Sequence, residues 1–201
     1  MNRLHGALAL TAATLAGGAA ISDSAFQVHP AQLAVEIESG RDHTSAIELA
    51  DRIMRGDRDL MVFDLRSAGA FDEFHIPGAR HTTLRELSMA SFARSSTVVL
   101  YSEGGAHAAQ AWVLLRLRGY RNVFFLREGI YEWISRVLDP RLAVDATAAE
   151  RVEFQHAAEL SRYFGGAALS DVPRAEVPKG YWTGLSQDVE QPAAGFRRRG
   201  C

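Results

Sequence analysis

The chain has 201 residues, of which 47% are hydrophobic and 23% are charged, a composition and length that suit one medium globular domain with extensions or two small domains. Its 22 basic and 24 acidic residues leave a net charge of −2, which argues against the clustered positive surface that nucleic acid requires, so no nucleic-acid partner is expected. A single cysteine, Cys201, excludes an internal disulfide framework and a metal site built from several cysteines.

Residues 1–20 have the pattern of a secretory signal peptide. Arg3 and the terminal amine supply positive charge, an uncharged run rich in Ala and Leu follows over residues 7–21, and the small residues Gly18 and Ala20 stand before the expected cleavage point. The run is short for a hydrocarbon core of about 30 Å. We therefore predict a periplasmic or secreted protein; the alternative is an uncleaved N-terminal anchor, the only membrane contact expected.

Helical and strand patterns alternate through the middle of the chain. Residues 21–43 are predicted to be an N-terminal extension with one short helix at 31–38, and residues 44–140 to be the main domain. Within that domain the helices are predicted at 45–54, 67–73, 84–90, 107–118 and 129–137, and the strands at 60–63, 79–82, 97–101 and 122–126. This alternation predicts an α/β fold with parallel strands and helices on both faces of the sheet.

The pattern changes after residue 140. Residues 141–166 are predicted to hold one more helix, at 148–164, which Gly165 and Gly166 end. From residue 167 onwards Pro, Gly, Ala and Ser dominate without periodicity, so 167–201 is predicted to be a flexible tail. The histidines lack metal-ligand spacing, and we expect neither a metal nor another cofactor.

Four short motifs carry a resemblance to a known family. In chain order they are Val62-Phe63-Asp64-Leu65-Arg66, Phe74-His75-Ile76-Pro77-Gly78-Ala79, Val98-Val99-Leu100-Tyr101-Ser102, and Gly119-Tyr120-Arg121-Asn122-Val123 with Gly129 and Trp133. Together they resemble a rhodanese-like domain over about residues 44–137. The resemblance implies a five-stranded parallel sheet flanked by helices, and a loop after Tyr101 that cradles an anionic group.

The loop itself has the composition of an anion site. A short turn before a helix directs backbone N–H groups and the positive end of the helix dipole at one point, and two adjacent glycines permit close approach of a ligand to the backbone. The predicted binding residues are Ser102, Glu103, Gly104, Gly105, Ala106 and His107, together with Asp64 and Arg66 at the end of the 60–63 strand. Asp64 and Arg66 are expected to pair with each other or with the loop backbone.

The resemblance also implies what this loop lacks. In active members of the family a cysteine opens the loop and carries the transferred sulfur as a persulfide, whereas this chain has Ser102 there. Glu103 and His107 stand where many members have arginine. A serine hydroxyl is far less acidic than a thiol and cannot hold a sulfane sulfur. We therefore assign no catalytic residue and expect a module without sulfurtransferase activity, which binds a partner protein or a small anion.

Two enzymatic alternatives remain open on sequence grounds. Ser102, His107 and Asp64 could formally complete a Ser-His-Asp hydrolase. Alternatively, Cys201 could act as the redox or sulfur-accepting thiol, since residues 166–200 as a flexible chain would span roughly 30–35 Å, enough to reach the loop.

Overall fold

The structure is a computed structural model that describes residues 30–174. The predicted signal segment at 1–20 and Cys201 lie outside the described residues. The chain divides into two compact units, with the boundary between Ile134 and Ser135. Within residues 30–174, no helix combines the length and the apolar character needed to cross a membrane.

The first unit is built on a five-stranded parallel sheet. Its helices are α1 (Pro30–Glu38), α2 (Ala46–Met54), α3 (Ala68–Glu73), α4 (Leu84–Met89), α5 (Ala106–Leu117) and α6 (Ile130–Trp133). Its strands are β1 (His43–Thr44), β2 (Leu60–Asp64), β3 (Arg80–His81), β4 (Thr97–Tyr101) and β5 (Val123–Leu126), in the order β1-β5-β4-β2-β3. The predicted α/β class and five-stranded parallel sheet are confirmed.

Strand β1 had no counterpart in the element predictions from residue patterns. It has only two residues, and it pairs His43 with Phe125 and Thr44 with Leu126 of β5. Two residues are too few to show the alternation that identifies a strand. The pairing with β5, which is distant in the chain, is what makes this segment a strand.

Strand β4 lies at the centre of the sheet because it is apolar on both faces. Its four residues from Val98 to Tyr101 are all buried, and it pairs along its length with β2 and β5. A continuous β-branched and aromatic run is typical of a strand that is covered on both sides. The central position brings the segment after Tyr101 to the carboxyl edge of the sheet.

Buried side chains from α1, α4 and α5 form a single hydrophobic cluster with one face of the sheet. Trp112 of α5 and Leu87 of α4 are each 1% exposed, and the indole Nε1 of Trp112 donates a hydrogen bond of 2.8 Å to the Val123 carbonyl. The buried members are Leu33, Phe63, Leu87, Val98, Leu100, Ala108, Ala111, Trp112, Leu115, Tyr120, Val123 and Phe125. This cluster fixes α5, and therefore the loop that precedes it.

Two helices of this unit begin at capping boxes that the sequence encodes locally. The Ser45 hydroxyl accepts from the Glu48 backbone N–H, while the Glu48 carboxylate accepts from the Ser45 N–H at 3.0 Å. Thr83 and Glu86 repeat the arrangement at the start of α4. Each box satisfies two backbone donors that would otherwise have no partner, which stabilises the helix start.

The second unit contains a short parallel ribbon and one long helix. The α6 segment passes into a π-helical turn at Ile134–Leu138, and then follow β6 (Arg141–Ala143), α7 (Ala148–Phe164) and β7 (Leu169–Val172). The predicted helix at 148–164 is confirmed. The prediction that the flexible tail starts at residue 167 is wrong for 169–172, because these residues pair with β6. Composition does not reveal a strand that is defined only by its partner.

Candidate functional site

The predicted binding loop lies at the carboxyl edge of the sheet, where β4 ends and α5 begins. In the sheet register Asp64 is opposite Tyr101, and the Leu65 N–H donates to the Tyr101 carbonyl at 2.9 Å. The ends of β2 and β4 are therefore adjacent. This is the edge at which ligands of parallel α/β sheets gather.

Two glycines allow the loop to pass close to the segment that follows β5. Gly105 has φ of +85°, and a side chain on it would collide with the backbone carbonyl of Arg127. Gly129 has φ of +59°, and a side chain there would collide with the Ser102 carbonyl. That Ser102 carbonyl accepts a hydrogen bond of 2.9 Å from the Ile130 N–H. The path of the loop is therefore set by direct backbone contact on one side.

No side chain caps the start of α5. Its N-cap residue is Gly105, which has no side chain to accept a hydrogen bond from the first turn. The twelve-residue helix thus presents uncapped N–H groups and the positive end of its dipole toward the loop. Such a helix start can donate hydrogen bonds to an anion.

Ser102 is 2% exposed, and within residues 30–174 its hydroxyl has no hydrogen-bond partner. The next residue, Glu103, is exposed, and its Oε1 accepts a hydrogen bond of 3.4 Å from the Tyr131 hydroxyl. The loop therefore combines a serine hydroxyl that has no hydrogen-bond partner within residues 30–174 with one carboxylate at its surface. That carboxylate opposes the binding of anions.

Asp64 and Arg66 form a buried ion pair, as the sequence predicted. The Asp64 carboxylate is fully buried and accepts from the Arg66 Nη2 at 2.7 Å and from the Arg66 backbone N–H at 2.9 Å. The same Nη2 donates to the Phe74 carbonyl at 2.5 Å. Burial alone would lower the pKa of Arg66, but the hydrogen bonds and charge of Asp64 leave it raised. The hydrogen bonds of both side chains are therefore used to stabilise the local backbone structure.

Tyr101 connects this pair to the neighbouring turn. Its hydroxyl accepts from the Ile76 N–H at 3.2 Å, and the Arg66 guanidinium carbon lies 5.7 Å from the centre of its ring. Burial and then the hydrogen bond with Asp64 raise the pKa of Tyr101. The phenol is therefore neutral at physiological pH and does not supply a base.

The structure does not bring Ser102, His107 and Asp64 together as a hydrolase triad. The Asp64 carboxylate is occupied by Arg66. His107 is exposed in the first turn of α5 and has no hydrogen bond to either residue within the described part of the chain. The Ser102 hydroxyl thus lacks a hydrogen-bonded base there. The topology brings the ends of β2 and β4 to one edge, but the charges of Asp64 and Arg66 there are already paired with each other.

Residue patterns did not reveal what holds the far side of the loop. The contacts come from the backbone of Arg127, Gly129 and Ile130, which lies immediately after β5. The Arg127 side chain contacts His43, whose Nδ1 lies 2.7 Å from Asp42 Oδ1. Gly129 was the one residue of this segment that a family motif had singled out. The other contacts are made by backbone atoms, which do not require a particular residue type.

No group of three or more His, Cys, Asp or Glu side chains in residues 30–174 is placed to hold a metal ion.

Comparison of the sequence with known protein families found a match to one family over part of the chain. Residues 45–136 match the sequence profile of the Rhodanese-like domain, and no curated protein matches the chain. Among solved structures, the rhodanese-like domain of an Anabaena sp. protein is 26% identical, with 46% of this chain and 72% of that chain covered and a TM-score of 0.42. A rhodanese-like domain protein from Staphylococcus aureus is 17% identical, with 46% and 90% covered and a TM-score of 0.41.

Proposed function

We propose that this chain, which contains a rhodanese-like domain at residues 45–136, is an exported binding module without sulfurtransferase activity. It binds a small anion or a partner protein through the loop from Ser102 to His107. The observation that carries the proposal is Ser102 at the position where an active domain needs its thiol.

The chemistry of sulfur transfer explains why this residue decides the activity. A thiolate must attack the donor's outer sulfur and keep it as a persulfide while the rest of the donor leaves. A serine hydroxyl is protonated at neutral pH, and no described residue accepts its proton. The only cysteine of the whole chain is Cys201, so residues 30–174 contain no thiol that could replace it.

The binding part of the proposal is supported by the uncapped start of α5. Gly105 leaves the N–H groups of that helix without a side-chain acceptor, and the nearby Ser102 hydroxyl is free to donate. Asp64 and Arg66 contribute by holding the end of β2 beside the loop rather than by touching the ligand. The Glu103 carboxylate makes affinity for a simple anion weaker than an uncharged loop would give.

The export part of the proposal is supported by the residue pattern at 1–20. Fractionation of a Gram-negative bacterial host tests it. We expect the full-length protein outside the cytoplasm and a variant without residues 1–20 inside it. Equal cytoplasmic retention of both would contradict export.

The proposed function is tested by one assay with three proteins. Full-length wild type, Ser102→Ala and Cys201→Ser are assayed for transfer of sulfur from thiosulfate to cyanide. We expect all three to give the same background rate. A wild-type rate that Ser102→Ala abolishes would overturn the proposal, and a rate that Cys201→Ser abolishes would favour the tail thiol instead.

Binding is tested on the same proteins by titration with sulfate, followed by NMR. We expect the backbone amides of Gly105 and His107 to shift on titration. If these amides stay unchanged up to high sulfate concentration, the loop is not a binding site for small anions, and only the partner-protein form of the proposal survives for testing by affinity capture.

A further inference from the structure

A cavity lies at the opposite edge of the sheet from the loop. Its volume is about 630 Å³, and α1 forms one wall. The other wall is formed by Arg116, near the end of α5, and Arg121, just before β5. Since α5 starts at the carboxyl edge and β5 starts at the amino edge, this cavity is separate from the loop between Ser102 and His107.

The deepest charge of this cavity is a buried arginine. Arg116 is 5% exposed; its Nη2 lies 2.5 Å from Glu36 Oε1, and its Nη1 donates to the Tyr120 carbonyl at 2.9 Å. Its guanidinium carbon also lies 5.8 Å from the centre of the Trp112 ring. Arg116 Nε is buried without a hydrogen-bond partner among the described residues. The single carboxylate of the cavity, Glu36, is therefore already used by Arg116.

Two further arginines line the cavity and have no such partner. Arg41 and Arg121 are exposed. Within residues 30–174, neither side chain makes an ion pair or a hydrogen bond. Three arginines against one glutamate leave a formal surplus of two positive charges in one concave site. Concave walls of low polarizability strengthen the field of such charges.

The α1 wall of the cavity carries two apolar residues, Ala31 and Val35, beside the polar Gln32 and Glu36. Ala31 and Val35 are one helical turn apart and both line the cavity, and Val35 is 53% exposed. Leu33 of the same helix is buried in the hydrophobic cluster of the sheet, which fixes the orientation of α1. A site with an apolar wall, a few convergent polar groups and a volume within about 300–1,000 Å³ is typical for small molecules.

We propose that this cavity binds a small organic anion. Its carboxylate, sulfonate or phosphate group lies between Arg41 and Arg121, and its apolar portion packs on Ala31 and Val35. Arginine suits this role because its fork of donors matches the oxygens of such groups. This inference is independent of the loop and of whether the loop binds anything.

The test compares two probes of the same shape on the full-length protein. 2-Naphthoate carries a carboxylate, whereas 2-naphthamide is neutral. By calorimetric titration we expect 2-naphthoate to bind about tenfold or more tightly than the amide, as one charge-assisted contact would give. Equal affinity of the two probes, or no measurable binding of 2-naphthoate, would overturn the proposal.

Variants then locate the binding. Arg121→Gln should weaken 2-naphthoate binding about fivefold or more. Arg85→Gln, an exposed arginine on α4 outside the cavity, should leave it unchanged. If Arg85→Gln weakens binding as much as Arg121→Gln, the attraction is only a net-charge effect and the site is disproved. Unfolding midpoints of both variants show that each one folds.

NMR separates this cavity from the loop. We expect 2-naphthoate to shift the backbone amides of Val35, Arg41 and Arg121 and to leave those of Ser102 and Gly105 in place. Shifts confined to Ser102 and Gly105 would instead assign the probe to the loop. That result would support the proposed function while overturning this inference.

Discussion

The Asp64 carboxylate and the Arg66 guanidinium form a buried two-pronged ion pair at the end of β2. Arg66 Nε lies 3.1 Å from Asp64 Oδ1, and Nη2 lies 2.7 Å from Oδ2; the side chains are 7% and 0% exposed for Arg66 and Asp64. Because Arg66 also bonds the Phe74 carbonyl, the pair connects β2 to the end of α3. Loss of one partner would leave the other buried without its counter-charge.

Asp64→Asn is therefore expected to lower the free energy of unfolding by about 3–5 kcal/mol, the cost of leaving one buried charge uncompensated. The matched control is Asp57→Asn, whose carboxylate pairs with Arg52 while both side chains are 28–29% exposed. That change should cost about 0–1 kcal/mol. Urea unfolding of both variants measures the difference, and equal losses would show that the Asp64 pair is no more important than a surface pair.

Gly105→Ala is expected to destabilise the protein by about 1–3 kcal/mol, because its φ of +85° is strained for alanine and the new Cβ meets the Arg127 backbone. Gly104→Ala is the control from the same loop. Its φ is not in the left-handed region, and a Cβ there meets nothing within 4 Å. Thermal or urea unfolding measures both. If the two variants lose the same stability, the close approach of the loop to Arg127 does not hold in solution.

Ser102→Cys, made together with Cys201→Ser, is expected to accept a sulfur atom from thiosulfate. The new thiolate would attack the outer sulfur, and sulfite would leave with the electron pair of the broken S–S bond. The uncapped start of α5 favours the thiolate form. Mass spectrometry should show the gain of one sulfur atom on the double variant but not on Cys201→Ser alone. A double variant that stays unmodified would mean that the loop, and not only its first residue, has lost the chemistry.

The contribution of the Glu48 charge to the capping box of α2 is expected to be lost at acidic pH. The hydrogen bond from the Ser45 backbone lowers the pKa of Glu48 below its ordinary value of 4.5. A carboxyl group with a lowered folded-state pKa stabilises above the unfolded value, and this contribution is lost as the pH falls through the folded value. Glu48→Gln should therefore be less stable than wild type at neutral pH, with a gap that closes as the pH falls below 4.5.

Glu38→Gln is the control for that measurement, since Glu38 is exposed at the end of α1 and is not part of a capping box. Urea midpoints at neutral pH and at about pH 3 are compared for the three proteins. A gap between Glu48→Gln and wild type that is the same at both pH values would contradict the role of the Glu48 charge.

The sequence alone was sufficient for strands β2 to β5 of the central sheet and for the helices with local signals. Strand β4 is uncharged over its full length. Helices α2 and α7 each begin after a Ser or Thr cap that stands three residues before a glutamate. Such features depend on neighbours in the chain, so they can be read without knowledge of the fold. The resemblance of four motifs to the rhodanese-like family then predicted the loop after Tyr101. In the structure this loop, from Ser102 to His107, lies at the carboxyl edge of the sheet.

The sequence failed where an element exists only through a distant partner. Strands β1 and β7 are short and have no pattern of their own; they form because β5 and β6 pair with them. The π-helical turn at 134–138 replaced the last part of a predicted α-helix. The residue types in these segments do not predict which backbone segment they will contact.

By itself, therefore, the sequence determined that residue 102 is a serine and that the described domain has no thiol, which limits its chemistry whatever its shape. Only the tertiary structure decided which charges remain free. It placed Arg66 on Asp64 and Arg116 on Glu36, and left Arg41 and Arg121 unpaired within residues 30–174 at one cavity. The reason is physical: a charge is neutralised by the groups that folding brings within a few ångströms, and those groups are up to 80 positions away in the chain.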